Sequence, residues 1–358
     1  MPLLVLSASD VTHLTRELSV LALCDMLGST MRAVSSASDG MEAVPLIQNP
    51  QRIATESNLH KTLYMPSRLT TAAQGSATSI KVVAVPKPEC PVPGLPASTL
   101  LLDESTGGIR AIVNAAELTG LRTAAASALA TKILADPQSE ILVIFGSGTQ
   151  AFHHARLVLQ LMPSVKEVHF VVRTTSARSN AVLQHIASEF PRVKRFVTTD
   201  TIVLRRADVI CTCVPSTTPL FARSDLKTGV HINAIGSYQR SMLEFPPSLI
   251  SPTSTVGDSE PKIPTILVDS REACLNEAGE LIAARIEKGN LIEIGELCKE
   301  DGTLREDAAT EEKLSRLRAG PGRRSLFKCV GVGAMDVAVT KLVVDEAIKQ
   351  GRGTLVDF

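Results

Sequence analysis

The chain has no excess of charge of either sign, and this lack argues against whole classes of partner. Its 358 residues include 37 Lys and Arg and 37 Asp and Glu, and the sequence pI is about 7.0. Proteins that bind nucleic acid or anionic membranes through electrostatics need a basic surface. The composition therefore favours a small-molecule partner and predicts neither a nucleic-acid nor a membrane partner.

Long apolar runs are also lacking. No stretch reaches the roughly 18 uninterrupted apolar residues that span a bilayer. The opening "MPLLVLSASDV" has no cationic segment before its short apolar patch, so it predicts a strand and not a signal peptide.

Cysteines in a metal-ligand spacing such as CxxC are absent as well. The seven cysteines are odd in number and scattered, at Cys24, Cys90, Cys211, Cys213, Cys274, Cys298 and Cys329. This usage predicts no structural zinc and a reducing compartment, so we expect a cytoplasmic protein without a metal. Cys211 and Cys213 alternate along a predicted strand, which points both to one buried face.

The organisation that is present predicts two regions. In the first third, a helix is predicted over "RELSVLALCDMLGSTMRAVSS" and strands over "SIKVVAV" and "STLLLDES", separated by the proline-rich loop 86–96. From about residue 121 strands alternate with helices, which predicts a parallel sheet covered on both faces. The charged segment from residue 299 predicts an exposed excursion, and "FKCVGVGAMDVAVTKLVVDEAI" predicts a helix.

One glycine pattern follows a predicted strand directly and opens a predicted helix. "ILVIFGSGTQA" places Gly146, Gly148 and Ala151 in a G-x-G-x-x-A pattern. The first glycine permits a tight turn, the second lets the backbone approach a pyrophosphate, and the alanine allows close packing of helix on strand. His153 and His154, which follow, are interpreted as structural. The pattern predicts a dinucleotide site, since the helix amino end would face the phosphates.

The next predicted strand, "EVHFVV", ends without the acid that would bind the ribose 2′-hydroxyl of NAD. Glu167 stands at its other end, and Arg173 and Thr174 follow it. A guanidinium pairs with a 2′-phosphate. We therefore predict NADP(H) as the preferred cofactor, with NAD(H) possible; a solvated loop arginine is the alternative.

Taken together, the motifs resemble the ornithine cyclodeaminase and mu-crystallin family. From about residue 50 to 345 the chain carries, in the family's order, "PQRIATES", "YMP", "IKVVAVP", "TGLRTAAASALATKIL", "GSGTQA", "HINAIGS", "LVDSREACLNEAGEL", "EIGEL" and "SLFKCVGVGAMD". The resemblance implies a Rossmann NAD(P)-binding domain over residues 121–320. It also implies a mixed α/β domain for substrate binding and dimerisation, formed by residues 1–120 and 321–358. A homodimer is expected.

The resemblance also assigns residues. Arg52 and Arg122 match the arginines that hold the substrate carboxylate, and Lys81 matches the active-site lysine. A guanidinium pairs bidentately with a carboxylate, and a lysine can protonate an imine. Lys81 lies among apolar residues of a strand, so burial should lower its pKa; the alternative is an outward, solvated lysine. The residues expected at the cofactor are Thr123, Gly146, Ser147, Gly148, Thr149, Gln150, Arg173, Thr174, Val214 and Ser237.

Two positions depart from the family pattern. Ser237 replaces the aspartate that the cyclodeaminases carry after the "NAIG"-like strand, and Cys329 replaces a serine. Serine is a poor base unless a neighbour activates it, so we expect no conversion of ornithine to proline. The sequence thus predicts an NAD(P)H-dependent reductase of a small imino acid or cyclic ketimine, or a reversible amino acid or opine-type dehydrogenase. The alternatives are a cyclodeaminase-type lyase that retains NAD, and a non-catalytic small-ligand-binding protein.

The absence of an acid beside Arg173 makes a prediction about the cofactor. NADPH should bind more tightly than NADH, and Arg173→Asp should reverse the preference, because the change removes an attraction and adds a repulsion. Fluorescence titration of the wild type and of Arg173→Asp, each with NADPH and with NADH, measures the affinities. Wild-type protein that binds NADH at least as tightly as NADPH would contradict the prediction.

Overall fold

Two separate sheets organise the chain. The computed structural model describes residues 2–36, 46–91, 94–251, 262–319 and 322–358. The chain divides into two compact units. Unit 1 comprises Met1–Arg122, Cys298–Thr303 and Val332–Phe358, and unit 2 comprises Thr123–Leu297 and Leu304–Gly331.

The strands and helices alternate along most of the chain. The strands are β1 Leu3–Leu6, β2 Ile47–Gln48, β3 Ile53–Glu56, β4 His60–Thr71, β5 Gly75–Pro86, β6 Ala97–Leu102, β7 Ile109–Asn114, β8 Ile141–Phe145, β9 Glu167–Val171, β10 Lys194–Thr198, β11 Val209–Thr212, β12 His231–Ala234, β13 Ile266–Val268, β14 Leu291–Glu293, β15 Ser325–Lys328 and β16 Thr354–Val356. The α-helices are α1 Ala8–Glu17, α2 Val20–Ser36, α3 Ala116–Leu134, α4 Thr149–Leu161, α5 Ala177–Glu189, α6 Arg271–Glu277, α7 Gly279–Ala283, α8 Ala308–Arg318 and α9 Gly333–Gln350. Short 3₁₀ helices cover Ile202–Arg206, Arg223–Asp225, Pro247–Leu249, Lys288–Asn290 and Ile294–Leu297.

Unit 1 is built on a mixed sheet of the order β16-β1-β7-β6-β5-β4-β2, with β3 paired to β4. Its centre is the antiparallel series β4, β5, β6 and β7. Helix α9 packs against β4, β5 and β6. Along β5 every second side chain from Ala77 to Val83 is buried, because successive strand residues point to opposite faces. The helix and the alternation together place Lys81 in the interior.

Unit 2 is built on a parallel sheet of the order β10-β9-β8-β11-β12-β15-β13-β14. Alternate residues of β8 enter different apolar clusters: Leu142 and Ile144 pack with α4 and α5, while Val143 packs on the opposite face. Both faces of the sheet are therefore covered, as parallel sheets require. This confirms the predicted α/β class with a Rossmann-type domain and a second, mixed α/β domain.

The strand order of unit 2 reverses between β8 and β11, where β9 continues one way and β12 the other. Ligands of such sheets bind outside the carboxyl ends of the strands at this switch point. Gly146 follows β8 and Val214 follows β11, so both lie at this edge. A Cβ added to Gly146 would approach Val214 Cγ1 to 2.7 Å, and its φ is +103°. Only glycine fits this turn.

The predicted helix over residues 16–36 is wrong in its bounds. Helix α1 ends at Glu17 and α2 begins at Val20, because Leu18 is extended, with φ −70° and ψ 127°. Helix α1 begins earlier, at Ala8, where Ser7 Oγ accepts from the backbone N–H of Asp10 at 3.2 Å and the Asp10 carboxylate accepts from Ser7 N–H. This capping box satisfies two free donors of the helix end.

Two predictions for the last sixty residues need correction. Residues 325–328 form strand β15 and not the start of a helix; α9 begins only at Gly333. The charged segment from residue 299 is not simply exposed: Leu314 and Leu317 of α8 are buried, and Ser29 Oγ donates to the Glu300 carbonyl at 2.6 Å. The few apolar residues of α8 are separated by many charged residues, so their helical spacing was not recognised in the sequence. Residues 320 and 321 lie outside the described residues.

The unit boundaries differ from the predicted domain boundaries. The first lies between Arg122 and Thr123, within α3, and residues 298–303 belong to unit 1. The prediction placed the first boundary at 120/121 and kept 298–303 in the Rossmann domain. The predicted boundary at 320/321 falls on undescribed residues, but residues 322–331, which the prediction assigned to the substrate-binding domain, belong to unit 2. Residues 92 and 93 of the predicted loop 86–96 are undescribed as well. The roles assigned to the domains stay predictions.

Within the described ranges, no single helix is both long and apolar enough to cross a membrane. Helices α1 and α2 together meet the same criteria of length and composition, although the chain bends by 101° between them.

The contact between Gly28 and Gly302 makes a stability prediction for unit 1. A Cβ at Gly28 would overlap the Gly302 carbonyl oxygen. Gly28→Ala should therefore destabilise the protein by about 1–3 kcal/mol, although alanine in the middle of a helix normally stabilises it by about 1 kcal/mol. Chemical denaturation measures this, with Gly108→Ala as control, since its Cβ would meet only Thr106 Oγ1 at 3.4 Å. Increased stability of Gly28→Ala would refute the overlap.

Candidate functional site

A buried lysine lies in the middle of strand β5. Lys81 is 2% exposed, and the strand register sets it opposite Met65 of β4 and Thr99 of β6. Its ammonium contacts Asp336, in the first turn of α9, with Nζ 2.9 Å from Oδ1 and 2.8 Å from Oδ2. The outward, solvated orientation considered for Lys81 is therefore wrong.

Arg122 joins the same cluster from helix α3. It is 6% exposed, its Nε lies 3.3 Å from Asp336 Oδ1, and one terminal nitrogen contacts Met335 Sδ at 3.7 Å. Arg52, directly before β3, is close enough to influence the charge of Lys81. We call Arg52, Lys81, Arg122 and Asp336 the basic cluster. It brings together the three residues predicted to bind substrate.

Burial has opposite effects on the two partners at the centre of the basic cluster. It lowers the pKa of Lys81 to about 8; Asp336 opposes this shift, and Arg122 and Arg52 add to it. Burial also works against ionisation of Asp336, but the positive charges of Lys81 and Arg122 outweigh it and hold that pKa below its ordinary value. The basic cluster thus contains three cations and one carboxylate, and the excess of positive charge suits an anion.

The glycine turn of unit 2 is a different kind of site, made by backbone. Gly148 is the N-cap of α4, at φ −87° and ψ −171°, and no side chain caps the helix. A Cβ there would meet nothing within 4 Å, so the backbone is open to an approaching group. Ala151 is fully buried in the apolar cluster beneath α4. Donors at the start of a helix bind anions such as phosphate.

The other predicted cofactor residues, apart from Thr123 in helix α3, follow the carboxyl ends of unit 2 strands. Arg173 and Thr174 follow β9 and are exposed, whereas Glu167 begins β9 and lies 3.2 Å from His169 Nε2. Ser147, Thr149 and Gln150 belong to the glycine turn and the first turn of α4. Thr123 is buried and is the first residue of unit 2.

Ser237 lies in a buried network of charges that the sequence did not predict. Its Oγ donates to Glu280 Oε1 at 2.5 Å, and its N–H donates to Glu244 Oε1 at 2.6 Å. Lys328, at the end of β15, forms an ion pair with Glu244 and lies 3.9 Å from Glu280 Oε2. We call Ser237, Glu244, Glu280 and Lys328 the acidic network. One carboxylate therefore accepts from the Ser237 hydroxyl and another from its backbone N–H.

The pKa shifts in the acidic network keep both main partners charged. Burial opposes the charge of Lys328, yet Glu244 and Glu280 outweigh it and raise that pKa. Burial likewise opposes ionisation of Glu244, and the ammonium of Lys328 outweighs it and lowers that pKa. The network fixes the ends of β12 and β15, because Glu244 also accepts from the backbone N–H of Gly236 at 2.7 Å.

The histidines of α4 have structural environments. Burial lowers the pKa of His153 to about 3 and that of His154 to about 4, so both are neutral. Both ring nitrogens of His154 are engaged, by Ser127 Oγ at 2.9 Å and the Gln150 carbonyl at 2.8 Å. Cys329 is buried and donates to Asp269 at 3.2 Å. In the part of the chain that the structure describes, no group of three His, Cys, Asp or Glu could hold a metal.

Comparison with known proteins identifies the family of the chain. The model of the ornithine cyclodeaminase/mu-crystallin family matches residues 4–351. The chain belongs to this family. The resemblance seen in the motifs is thereby confirmed.

Named relatives within the family are reductases. The chain is 29% identical over 367 residues to Delta(1)-pyrroline-2-carboxylate reductase of Bacillus thuringiensis subsp. konkukian, covering 99% of this chain and 100% of that protein. It is 32% identical over 254 residues to the ketimine reductase mu-crystallin of Rattus norvegicus, covering 71% and 70%. The structure of Thermococcus litoralis Delta(1)-pyrroline-2-carboxylate reductase, in complex with NADH and L-proline, superposes with TM-score 0.77 at 24% identity, covering 98% and 99%. This likeness confirms the fold.

Sequence reasoning did not assign Asp336, Glu244, Glu280 or Lys328. Two of them had a detectable signal: Lys328 and Asp336 are the only charged residues between Ser325 and Thr340. A charged residue in an apolar stretch is buried only with a partner. The partners could not be read from the sequence, because Lys81 and Asp336 are 255 positions apart.

The acidic network makes a stability prediction. Lys328→Met keeps most of the side-chain volume but leaves Glu244 buried without its ion-pair partner, which should cost about 3–5 kcal/mol. Lys349→Met is the control, since Lys349 forms an exposed pair with Glu346, and it should have little effect. Urea denaturation of both variants measures the difference. Equal stability of the two would show that the buried pair is not needed.

Proposed function

We propose that the chain is an NAD(P)H-dependent oxidoreductase that reduces the C=N bond of small cyclic imino acids carrying a carboxylate. The single observation that carries the proposal is the basic cluster, a buried ammonium that can give a proton beside two guanidinium groups that can bind a carboxylate. The names of the curated relatives, Delta(1)-pyrroline-2-carboxylate reductase and ketimine reductase, support the same chemistry.

The charge of the cluster fits a carboxylate substrate. Asp336 neutralises one of the three cations, so the cluster attracts one further anion without an excess of negative charge. Arg122 and Arg52 would bind the carboxylate, because a planar guanidinium matches its two oxygens. A fixed carboxylate holds the adjacent imine carbon in place, which is how binding prepares a near-attack geometry.

The residues of unit 2 fit a dinucleotide. The turn at Gly146 excludes a side chain, the backbone at Gly148 is open, and the first turn of α4 has no side-chain cap. Gly146, Gly148 and the N–H groups of Thr149 and Gln150 would hold the pyrophosphate, with Val214 and Ser237 at the neighbouring strand ends. When bound, the reduced nicotinamide supplies a hydride to the imine carbon. Arg173 follows β9 and is exposed, so it could pair with a 2′-phosphate, which supports NADP(H).

Lys81 would complete the reaction by donating a proton from Nζ to the imine nitrogen, so that the C=N bond becomes CH–NH. The pKa of about 8 leaves Lys81 mostly protonated at neutral pH, yet close enough to that pH to give up the proton. Lys81 then recovers a proton from solvent. Activity that depends on this ammonium is lost as the pH rises through the pKa of Lys81.

A substrate screen separates this proposal from its rivals. Purified protein is mixed with cyclic ketimines, and separately with keto acids plus amines, and NADPH absorbance at 340 nm is followed. Consumption with ketimines supports the reductase, and consumption with keto acid plus amine indicates an opine-type dehydrogenase. Product without net NADPH oxidation indicates a lyase. Binding without turnover across the panel indicates a ligand carrier.

The open backbone at Gly148 makes a prediction about the cofactor. Gly148→Ala should leave the unfolding temperature unchanged, because its φ and ψ suit alanine and the space is empty. NADPH affinity should fall at least tenfold, since the methyl group occupies the approach of the pyrophosphate. Calorimetric titration measures the affinity. Gly289→Ala, also with nothing within 4 Å, is the control, and equal affinities of the two variants would refute this site.

The role of Lys81 makes a second prediction. Lys81→Met keeps most of the stem but removes the proton, so turnover should fall by about a hundredfold or more, the scale of losing a general acid. NADPH affinity should stay nearly unchanged. Lys87→Met is the control, because Lys87 forms an exposed pair with Glu56. Turnover of Lys81→Met within threefold of wild type would show that Lys81 is not the proton donor.

A further inference from the structure

Asp336 contacts the Lys81 ammonium and the Arg122 guanidinium at the same time. Its two carboxylate oxygens lie 2.9 and 2.8 Å from Lys81 Nζ, and Oδ1 lies 3.3 Å from Arg122 Nε. It is 2% exposed and occupies the first turn of α9, which packs against the sheet that carries Lys81. A short side chain on a packed helix has little freedom, so its position fixes both of its partners.

The residues paired with Lys81 on the two neighbouring strands carry no charge. The paired residues on β4 and β6 are Met65 and Thr99, and the further charged groups that act on Lys81 are Arg122 and Arg52, both cations. Asp336 is thus the carboxylate that keeps the ammonium and the guanidinium close together within a buried space.

We propose that Asp336 is a positioning residue of the reductase: it holds the Lys81 ammonium charged and fixes it relative to the Arg122 guanidinium. The inference rests on the proposed function. Asp336 does not itself supply the proton, because it is ionised and both of its oxygens contact Lys81. Replacing a buried ion pair by well-packed apolar residues is often neutral or stabilising, so a requirement of folding alone does not account for the pair.

Removal of the Asp336 carboxylate should lower kcat and leave KM nearly unchanged. In Asp336→Asn the Lys81 ammonium loses its counterion among two guanidinium groups, and it releases its proton at a lower pH. Loss of one negative charge and of one positive charge leaves the net charge of the cluster unchanged. Attraction of the substrate carboxylate therefore persists, while the proton donor is missing.

The first experiment measures the pH profile of ketimine reduction. Wild type should lose kcat/KM as the pH rises through about 8, and Asp336→Asn should lose it at least one pH unit lower. At pH 8, kcat should fall at least about fivefold, because the protonated fraction of Lys81 drops from about a half to below a tenth, with KM within about twofold. The matched control is Asp345→Asn, on the same helix, whose carboxylate pairs with Arg110 and Lys341 instead. The proposal would be overturned if kcat/KM of Asp336→Asn fell at the same pH as that of wild type, or if the pH of this fall shifted equally in the control.

Asp336→Glu keeps the test decisive if the Asn variant does not fold. Glutamate retains the charge but displaces it by one methylene. The pH at which kcat/KM falls should therefore stay within about half a unit of the wild-type value, while kcat itself decreases. Positioning by this carboxylate would be contradicted if the fall in kcat/KM of Asp336→Glu shifted by a full pH unit, or if this variant kept the wild-type kcat.

A readout without substrate separates failure of this inference from failure of the proposed function. In protein with ¹³C-labelled lysine, the Lys81 side-chain resonance is the one missing from Lys81→Met. Its titration midpoint should lie near 8 in wild type and at least one unit lower in Asp336→Asn. Equal midpoints would refute the role of Asp336 even if the protein reduces no ketimine. A shifted midpoint with no ketimine turnover would refute only the proposed reaction.

Discussion

The burial of charge is the constraint on which both units depend. Lys81 and Asp336 in unit 1, and Lys328 and Glu244 in unit 2, are almost wholly removed from solvent. Desolvation of such groups costs several kcal/mol for each ion, and mutual attraction repays this only with good geometry and further hydrogen bonds. Each cluster therefore forces the elements around it to keep their positions.

In unit 1 the constraint explains how distant segments share one structure. Strand β5 provides the lysine, α3 the arginine and α9 the carboxylate, and the antiparallel register turns Lys81 to the face that α9 covers. Without the Asp336 carboxylate of α9, the buried Lys81 ammonium would lie near a second buried cation, Arg122. The charges thus tie the last helix to the first third of the chain.

Unit 2 uses backbone geometry where unit 1 uses side-chain charge. The turn after β8 depends on the absence of a side chain at Gly146 and on the open approach at Gly148, whereas Ser147 is half-buried and Thr149 exposed. The acidic network then fixes the segment after β12, through backbone donors at Gly236 and Ser237, and the end of β15, through Lys328. A backbone site is recognisable from sequence, because glycine spacing is itself the requirement.

The sequence by itself determined the α/β class, the family and the glycine turn, because period and glycine placement are local properties. It predicted the burial of Lys81 from apolar neighbours but left an outward lysine open, and the structure decided for burial. It misjudged the ends of the helix over residues 16–36 and missed β10, since "KRFVT" is a polar edge strand with no apolar run. Only the tertiary structure decided that Asp336 faces Lys81 and that Glu280 accepts from Ser237. A buried charge requires a partner, but any carboxylate in the chain could serve until the register of the sheet and the packing of a helix select one.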